Sequence, residues 1–203
     1  MAVRESGFQK ALRLEYFTII YNFLEAGAAI IAGKISGSIS LIGFGLDSIV
    51  ENTSGFILIW RLKKHGSISK EEEERIEQRA SRFVGISFFL LGAYIAFESI
   101  QKIWFREVPE KSLAGIIIAS LSLIIMPLLA RAKLKLGLEL NLKSLVADSK
   151  ETLVCAWMSL ALLLGLLTHT LFGFWLADPI VGLIIVGFLF KEGYELFFEE
   201  DED

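Results

Sequence analysis

The chain has 203 residues, 54% of them apolar and 22% charged, with a formal net charge of −4 and a mean hydropathy of +0.57. Ser112–Ala130 contains no ionisable side chain and Thr152–Ala177 no Asp, Glu, Lys or Arg; apolar runs this close to the ~20 residues that cross a bilayer as a helix exclude an ordinary soluble globule. The acidic balance argues against a nucleic-acid partner, which would call for a basic stripe, and the single cysteine, Cys155, excludes an intramolecular disulfide.

In chain order, residues 1–13 are polar and carry no secretory signal, so the first apolar segment is expected to be retained as a span. Six spans are predicted: Glu15–Gly33, Ser40–Leu62, Phe83–Trp104, Ser112–Ala130, Ser144–Leu166 and Pro179–Phe197. Their apolar character is continuous rather than alternating, which favours helices over a β-barrel. Between the second and third spans, 63–82 reads as a cytoplasmic loop. Its Lys70–Arg75 run, with Glu71 and Arg75 four apart, is expected to be a solvated helical turn. Pro127 should loosen the fourth helix. Asp178-Pro179 reads as a cap followed by proline at the first helical position of the sixth, and 198–203 as an acidic, solvated tail. The expected fold class is therefore all-α: one integral membrane bundle of six transmembrane helices over 1–203, with no cytoplasmic domain.

Lys and Arg set the orientation. Fifteen fall on the side of the two termini, Lys133 among them, against four on the other (Lys34, Lys102, Arg106 and Lys111), while Lys150 lies within a span. Both termini are expected in the cytoplasm of a multi-pass protein of the cell membrane.

Ionisable groups in a bilayer cost at least ~2.5 kcal/mol each at mid-helix, so they mark sites. Asp47 and Glu51 are four apart on the second span and Glu151 and Cys155 four apart on the fifth, so each pair shares a helix face near mid-span. Antiparallel packing of the two helices would set Asp47 level with Cys155 and Glu51 level with Glu151. With a thiol at the same depth, the three carboxylates repel one another unless a cation or protons neutralise them, and a divalent metal is the economical solution. Asn22, Glu25, Asp148 and Lys150 are expected around that group, either supporting it or acting as polar glue between helices. Glu98 is read as structural, and His65 and His169 lie too far from the membrane centre to serve as ligands.

These residues fall in segments that resemble the cation diffusion facilitators, six-span metal/proton antiporters. The resemblance is carried by Gly45-Leu-Asp-Ser-Ile-Val-Glu51, Ala80-Ser-Arg82, Tyr94-Ile-Ala-Phe-Glu-Ser-Ile100, Ala147-Asp-Ser-Lys-Glu-Thr152, Ala177-Asp-Pro179 and Glu192-Gly193. It implies a transport site at Asp47, Glu51, Glu151 and Cys155, with Glu-x-x-x-Cys in place of the usual fifth-helix His-x-x-x-Asp. Zinc tolerates such mixed oxygen and sulfur ligands and is the expected cargo, with cadmium and cobalt next. The chain stops soon after the sixth span, so the family's cytoplasmic metal-binding domain is expected to be absent and any homodimer to rest on membrane helices in lipid. The expected function is a secondary transporter exporting a divalent transition metal in exchange for protons, without a prosthetic group. Two alternatives stand beside it: a non-transporting metal-binding or sensor subunit, and an intramembrane enzyme, against which four side-chain ligands argue because hydrolytic sites keep an open water position.

Overall fold

A computed structural model describes residues 2–64 and 69–198, with side chains left aside at 2–6, 64, 70, 73, 74, 76–81, 83, 84, 143, 196 and 198. Among the described residues the secondary structure is six α-helices: α1 (Ala2–Ser36), α2 (Ile39–Lys64), α3 (Lys70–Phe105), α4 (Leu113–Leu140), α5 (Lys143–Phe172) and α6 (Ala177–Phe198). Each contains one predicted span, Ser112 serving as the cap just before α4 rather than as part of it.

The helix ends follow from local chemistry. Ser69 caps α3 by accepting from the Glu72 amide at 3.2 Å, so the Lys70–Arg75 run is indeed the first turns of a helix, with Glu71, Glu72 and Arg75 exposed. Ser112 does the same for α4 through the Gly115 amide at 3.1 Å. At the far end of α4, Asn141 turns to φ 54°, a left-handed position that asparagine tolerates, and its amide closes on Gly137 and Leu138. Pro127 lies inside a helix that continues past it.

Three differences from the sequence reading concern where helices stop. The N-terminal segment is helical from Ala2, α3 begins at Lys70 inside the expected 63–82 loop, and α4 runs ten residues past Ala130 to Leu140. The charges at Arg131, Lys133 and Lys135 suggested a span end, but Lys133 is not in a loop: it is 1% exposed on the stripe Met126, Leu129, Ala130, Lys133, Gly137, Leu140 that faces the bundle. His65, the rest of 65–68 and 199–203 lie outside the described residues.

The helices associate as three close pairs, α1 with α2, α4 with α5, and α3 with α6. The first two pairs meet through α1 against α4 and α2 against α5, and the α3–α6 pair packs on α2 and α5. Small residues permit the closest approach: a Cβ at Gly85 would lie 3.0 Å from the Gly193 carbonyl, and one at Gly193 3.1 Å from the Gly85 carbonyl. The core runs through Phe44, Phe88, Ile95, Met126, Leu162, Ile185 and Leu189. Large apolar side chains also cover the outside, among them Leu24, Leu90, Leu121, Trp157 and Leu164. A surface this apolar belongs in hydrocarbon. Among the described residues, four helices contain stretches long and apolar enough to cross a membrane: Gly7–Ser36, Gly85–Phe105, Leu113–Leu140 and Ser144–Phe172. Of the other two, α2 is made less apolar by Asp47, Glu51 and Asn52, and α6, though apolar, carries Asp178, Lys191 and Glu192 along its length.

The end of the bundle opposite the start of α1 is tied by one carboxylate. Asp178 reads in the sequence as a cap for its own helix, yet its Oδ2 accepts from the Ile39 amide at 3.0 Å and its Oδ1 from the Ser40 hydroxyl at 2.5 Å, with Ser38 donating as well. It thus caps α2 from α6, using donors that the start of a helix leaves unsatisfied. Alongside, Lys102 donates to the Gly37 carbonyl, and His169 is held through Nε2 to the Pro109 carbonyl at 3.0 Å, away from the carboxylates of the interior.

Candidate cation site

The α2–α5 crossing brings Asp47, Glu51 and Cys155 together in the interior. One ligand-type atom from each lies within 4.8 Å of the others, and the residues are 3%, 5% and 1% exposed. The spacing of four on α2 stacks the two carboxylates on one face, and the opposed course of α5 carries the thiol to them. Tetrahedral ligand atoms on zinc stand roughly 3.5 Å apart, given Zn–O near 2.0 Å and Zn–S near 2.3 Å, so a modest contraction would close this trio on an ion. Glu51 Oε2 is buried without a hydrogen-bond partner among the described residues. Such an orphaned acceptor costs free energy unless a ligand or proton completes it.

Glu151 stands apart from the trio. It is half-buried and lines the same small cleft with Asp47, Glu51, Phe88, Val154, Met158, Phe188, Leu189 and Glu192. The cleft lies between α2 and α5 on one side and α3 and α6 on the other. Its Oε2 also lacks a hydrogen-bond partner. The expected four-residue group is therefore present as three gathered residues plus Glu151 along the cleft, where Glu192 of α6 joins it.

The surrounding polar residues divide sharply. Glu25 is held at both oxygens, by the Tyr21 hydroxyl at 3.0 Å and by the Ser48 hydroxyl at 3.0 Å, which ties α1 to the residue following Asp47. Asn22 is 1% exposed and Asn52 2%, and neither amide group has a hydrogen-bond partner among the described residues. Asp148 faces inward and pairs with Lys133, its Oδ2 2.5 Å from the ammonium. Lys150 is exposed on the outside of α5, so the buried ammonium near these carboxylates is Lys133 of α4. Sequence reasoning missed Lys133, Thr152, Glu15 and Glu192. The signal was available in the helical period: Glu15 falls on the buried stripe Ala11, Glu15, Thr18, Asn22, Glu25, and Glu192 on Val181, Ile185, Leu189, Glu192.

A bundle of this kind with carboxylates and a thiol at its centre has the composition of a membrane cation site, and comparison with known proteins agrees. Residues 16–200 match the cation efflux transmembrane domain, and the chain belongs to that family. It is 29% identical over 183 residues to an uncharacterised transporter of Methanocaldococcus jannaschii, covering 88% of this chain and 64% of that protein. It is 27% identical over 189 residues to transmembrane protein 163 of Xenopus laevis, covering 93% of this chain and 66% of that protein. The chain thus spans about two thirds of the length of these relatives.

Proposed function

We propose that the chain is a secondary transporter that moves a divalent transition-metal cation out of the cytoplasm in exchange for protons, with zinc the preferred cargo and cadmium and cobalt next. The observation that carries this reading is the buried meeting of Asp47, Glu51 and Cys155 inside a cation efflux domain. Two carboxylates and a thiol are a donor set for a borderline or soft divalent ion rather than for magnesium or calcium, which take oxygen alone. Glu151 and Glu192 line the cleft beside the trio and would pass the ion to it. When the ion leaves, the carboxylates cannot all stay charged at such separations, so protons take its place and travel on the return step. The site would open to each side in turn. No prosthetic group and no covalent chemistry are needed, so the protein is not read as an enzyme. We place it in the cell membrane with both termini cytoplasmic, as a homodimer through its membrane helices.

Flux into sealed proteoliposomes, compared across zinc, cadmium, cobalt, manganese and iron, tests this reading. Zinc uptake driven by an opposing proton gradient, and lost in Asp47→Asn, is the expected result. Zinc binding without flux would make the protein a metal-binding subunit instead of a transporter.

A further inference from the structure

The Lys133 ammonium meets three side chains: it pairs with two carboxylates and donates to one hydroxyl. Its Nζ lies 2.5 Å from Asp148 Oδ2 and 3.4 Å from Glu15 Oε2, and it donates to Thr152 Oγ1 at 3.1 Å. The ammonium is 1% exposed, Glu15 0% and Thr152 0%. Glu15 belongs to α1, Lys133 to α4, and Asp148 and Thr152 to α5. Thr152 Oγ1 is in turn 3.2 Å from Glu51 Oε1 on α2, and 3.0 Å from the Asp148 carbonyl one turn back on its own helix. One buried cation therefore joins all four helices of the α1–α2–α4–α5 unit and reaches a residue of the cation site through a single hydroxyl.

The direction of these bonds matters. A threonine hydroxyl has one proton to give and lone pairs to receive with. Because Lys133 can only donate, it occupies the receiving side of Thr152 and leaves the hydroxyl proton for the two acceptors, Glu51 Oε1 and the Asp148 carbonyl. Glu51 thus meets the hydroxyl at Oε1, sharing its proton with the carbonyl, while Oε2 has no hydrogen-bond partner among the described residues. An unsupported glutamate in the same place has three rotatable bonds and both oxygens to offer.

We propose that Lys133, acting through Thr152, is the positioning residue of the cation site: it fixes one oxygen of Glu51 and so presents this carboxylate to the ion through the other oxygen alone. This rests on reading Asp47, Glu51 and Cys155 as the cation site. Glu15 and Asp148 hold the ammonium in place, so the ligand orientation is set by the packing of four helices. A one-oxygen glutamate suits a small, four-coordinate ion. Larger, oxygen-seeking ions gain from a carboxylate that can turn both oxygens inward.

The test is titration of zinc and of manganese onto the purified full chain in detergent, for wild type, Thr152→Val, Thr152→Ser, Lys133→Met and the double variant Lys133→Met/Thr152→Val. Thr152→Val frees Glu51 to turn before the ion arrives and should weaken zinc binding about 10-fold or more. Thr152→Ser should restore it. The zinc-to-manganese affinity ratio should fall in Thr152→Val and Lys133→Met alike, and adding Lys133→Met to Thr152→Val should lower the ratio little further, because both act along one path. A merely structural role would weaken both metals equally and leave the ratio alone; that result, or unchanged zinc binding in Thr152→Val, overturns the proposal. If Lys133→Met does not fold, the valine and serine variants at 152 decide it by themselves. Should wild type bind neither metal, the cation-site reading falls and this proposal with it, whereas normal wild-type binding with an indifferent Thr152→Val removes only the positioning role.

Discussion

Asp178→Ala should be among the most destabilising single changes outside the centre of the bundle. The side chain is 3% exposed and accepts from the Ile39 amide at 3.0 Å, the Ser40 amide at 3.4 Å, the Ser40 hydroxyl at 2.5 Å and the Ser38 hydroxyl. Alanine takes the acceptor from the first amides of α2 and leaves the two buried hydroxyls, 3.2 Å apart, with only each other as acceptor. Losing a helix cap costs about 0.5–2 kcal/mol, and each hydrogen bond to a charged group about 1.5–3 kcal/mol before the overlap between them is counted. Single-site losses rarely exceed about 4–5 kcal/mol, so a total near 3–4 kcal/mol is expected. Asn keeps one acceptor oxygen and should lose about half as much. For a chain of this size 1 kcal/mol corresponds to roughly 2–4 °C, so thermal unfolding in detergent should fall by about 10 °C in the alanine variant. Glu139→Ala is the control: its pair with Lys135 spans 4.0 Å with both side chains more than half exposed, and such pairs contribute almost nothing. Asp178→Ala melting with wild type and the control would refute the role given to this carboxylate.

Other outcomes follow from the same packing and chemistry. Asp47→Asn and Glu151→Gln should abolish zinc flux in proteoliposomes while the protein still inserts and folds; full flux in either variant would remove that residue from the transport path. Cys155→Ser should reduce cadmium and zinc binding more than manganese binding, since the thiolate selects soft ions, and equal loss for all three would mean that Cys155 serves packing alone. Gly85→Val should cost about 1–3 kcal/mol by forcing α3 away from α6, because a Cβ there already lies 3.0 Å from the Gly193 carbonyl. Gly187→Ala, where a Cβ meets nothing within 4 Å, should instead stabilise the helix by up to about 1 kcal/mol, read as a rise in melting temperature.

The all-α membrane class and the order of the six helices were legible because the apolar runs in the chain are long and continuous. The pairs at spacing four, Asp47 with Glu51 and Glu151 with Cys155, were legible for the same geometric reason. Their lateral arrangement was not: a period of 3.6 puts two residues on one face but does not say how far a neighbouring helix is rotated. That rotation leaves Glu151 along the cleft instead of within the trio. Lys133 was hidden by its own charge, which reads as the end of a span. The charged partners Glu15 and Asp148, 118 and 15 residues away in sequence, make its burial tolerable. Asp178 was misread for a related reason. Its position before a proline fits a local cap, and the donors it serves lie about 140 residues earlier, at Ser38 to Ser40.

X-ray absorption at the zinc edge, on purified protein loaded with one equivalent of zinc, tests the central claim most directly. One sulfur neighbour near 2.3 Å with the remaining neighbours oxygen near 2.0 Å is the expected shell, and the sulfur should vanish in Cys155→Ser. An all-oxygen shell in wild type, or a shell that Asp47→Asn and Glu51→Gln leave untouched, would contradict a cation site at Asp47, Glu51 and Cys155.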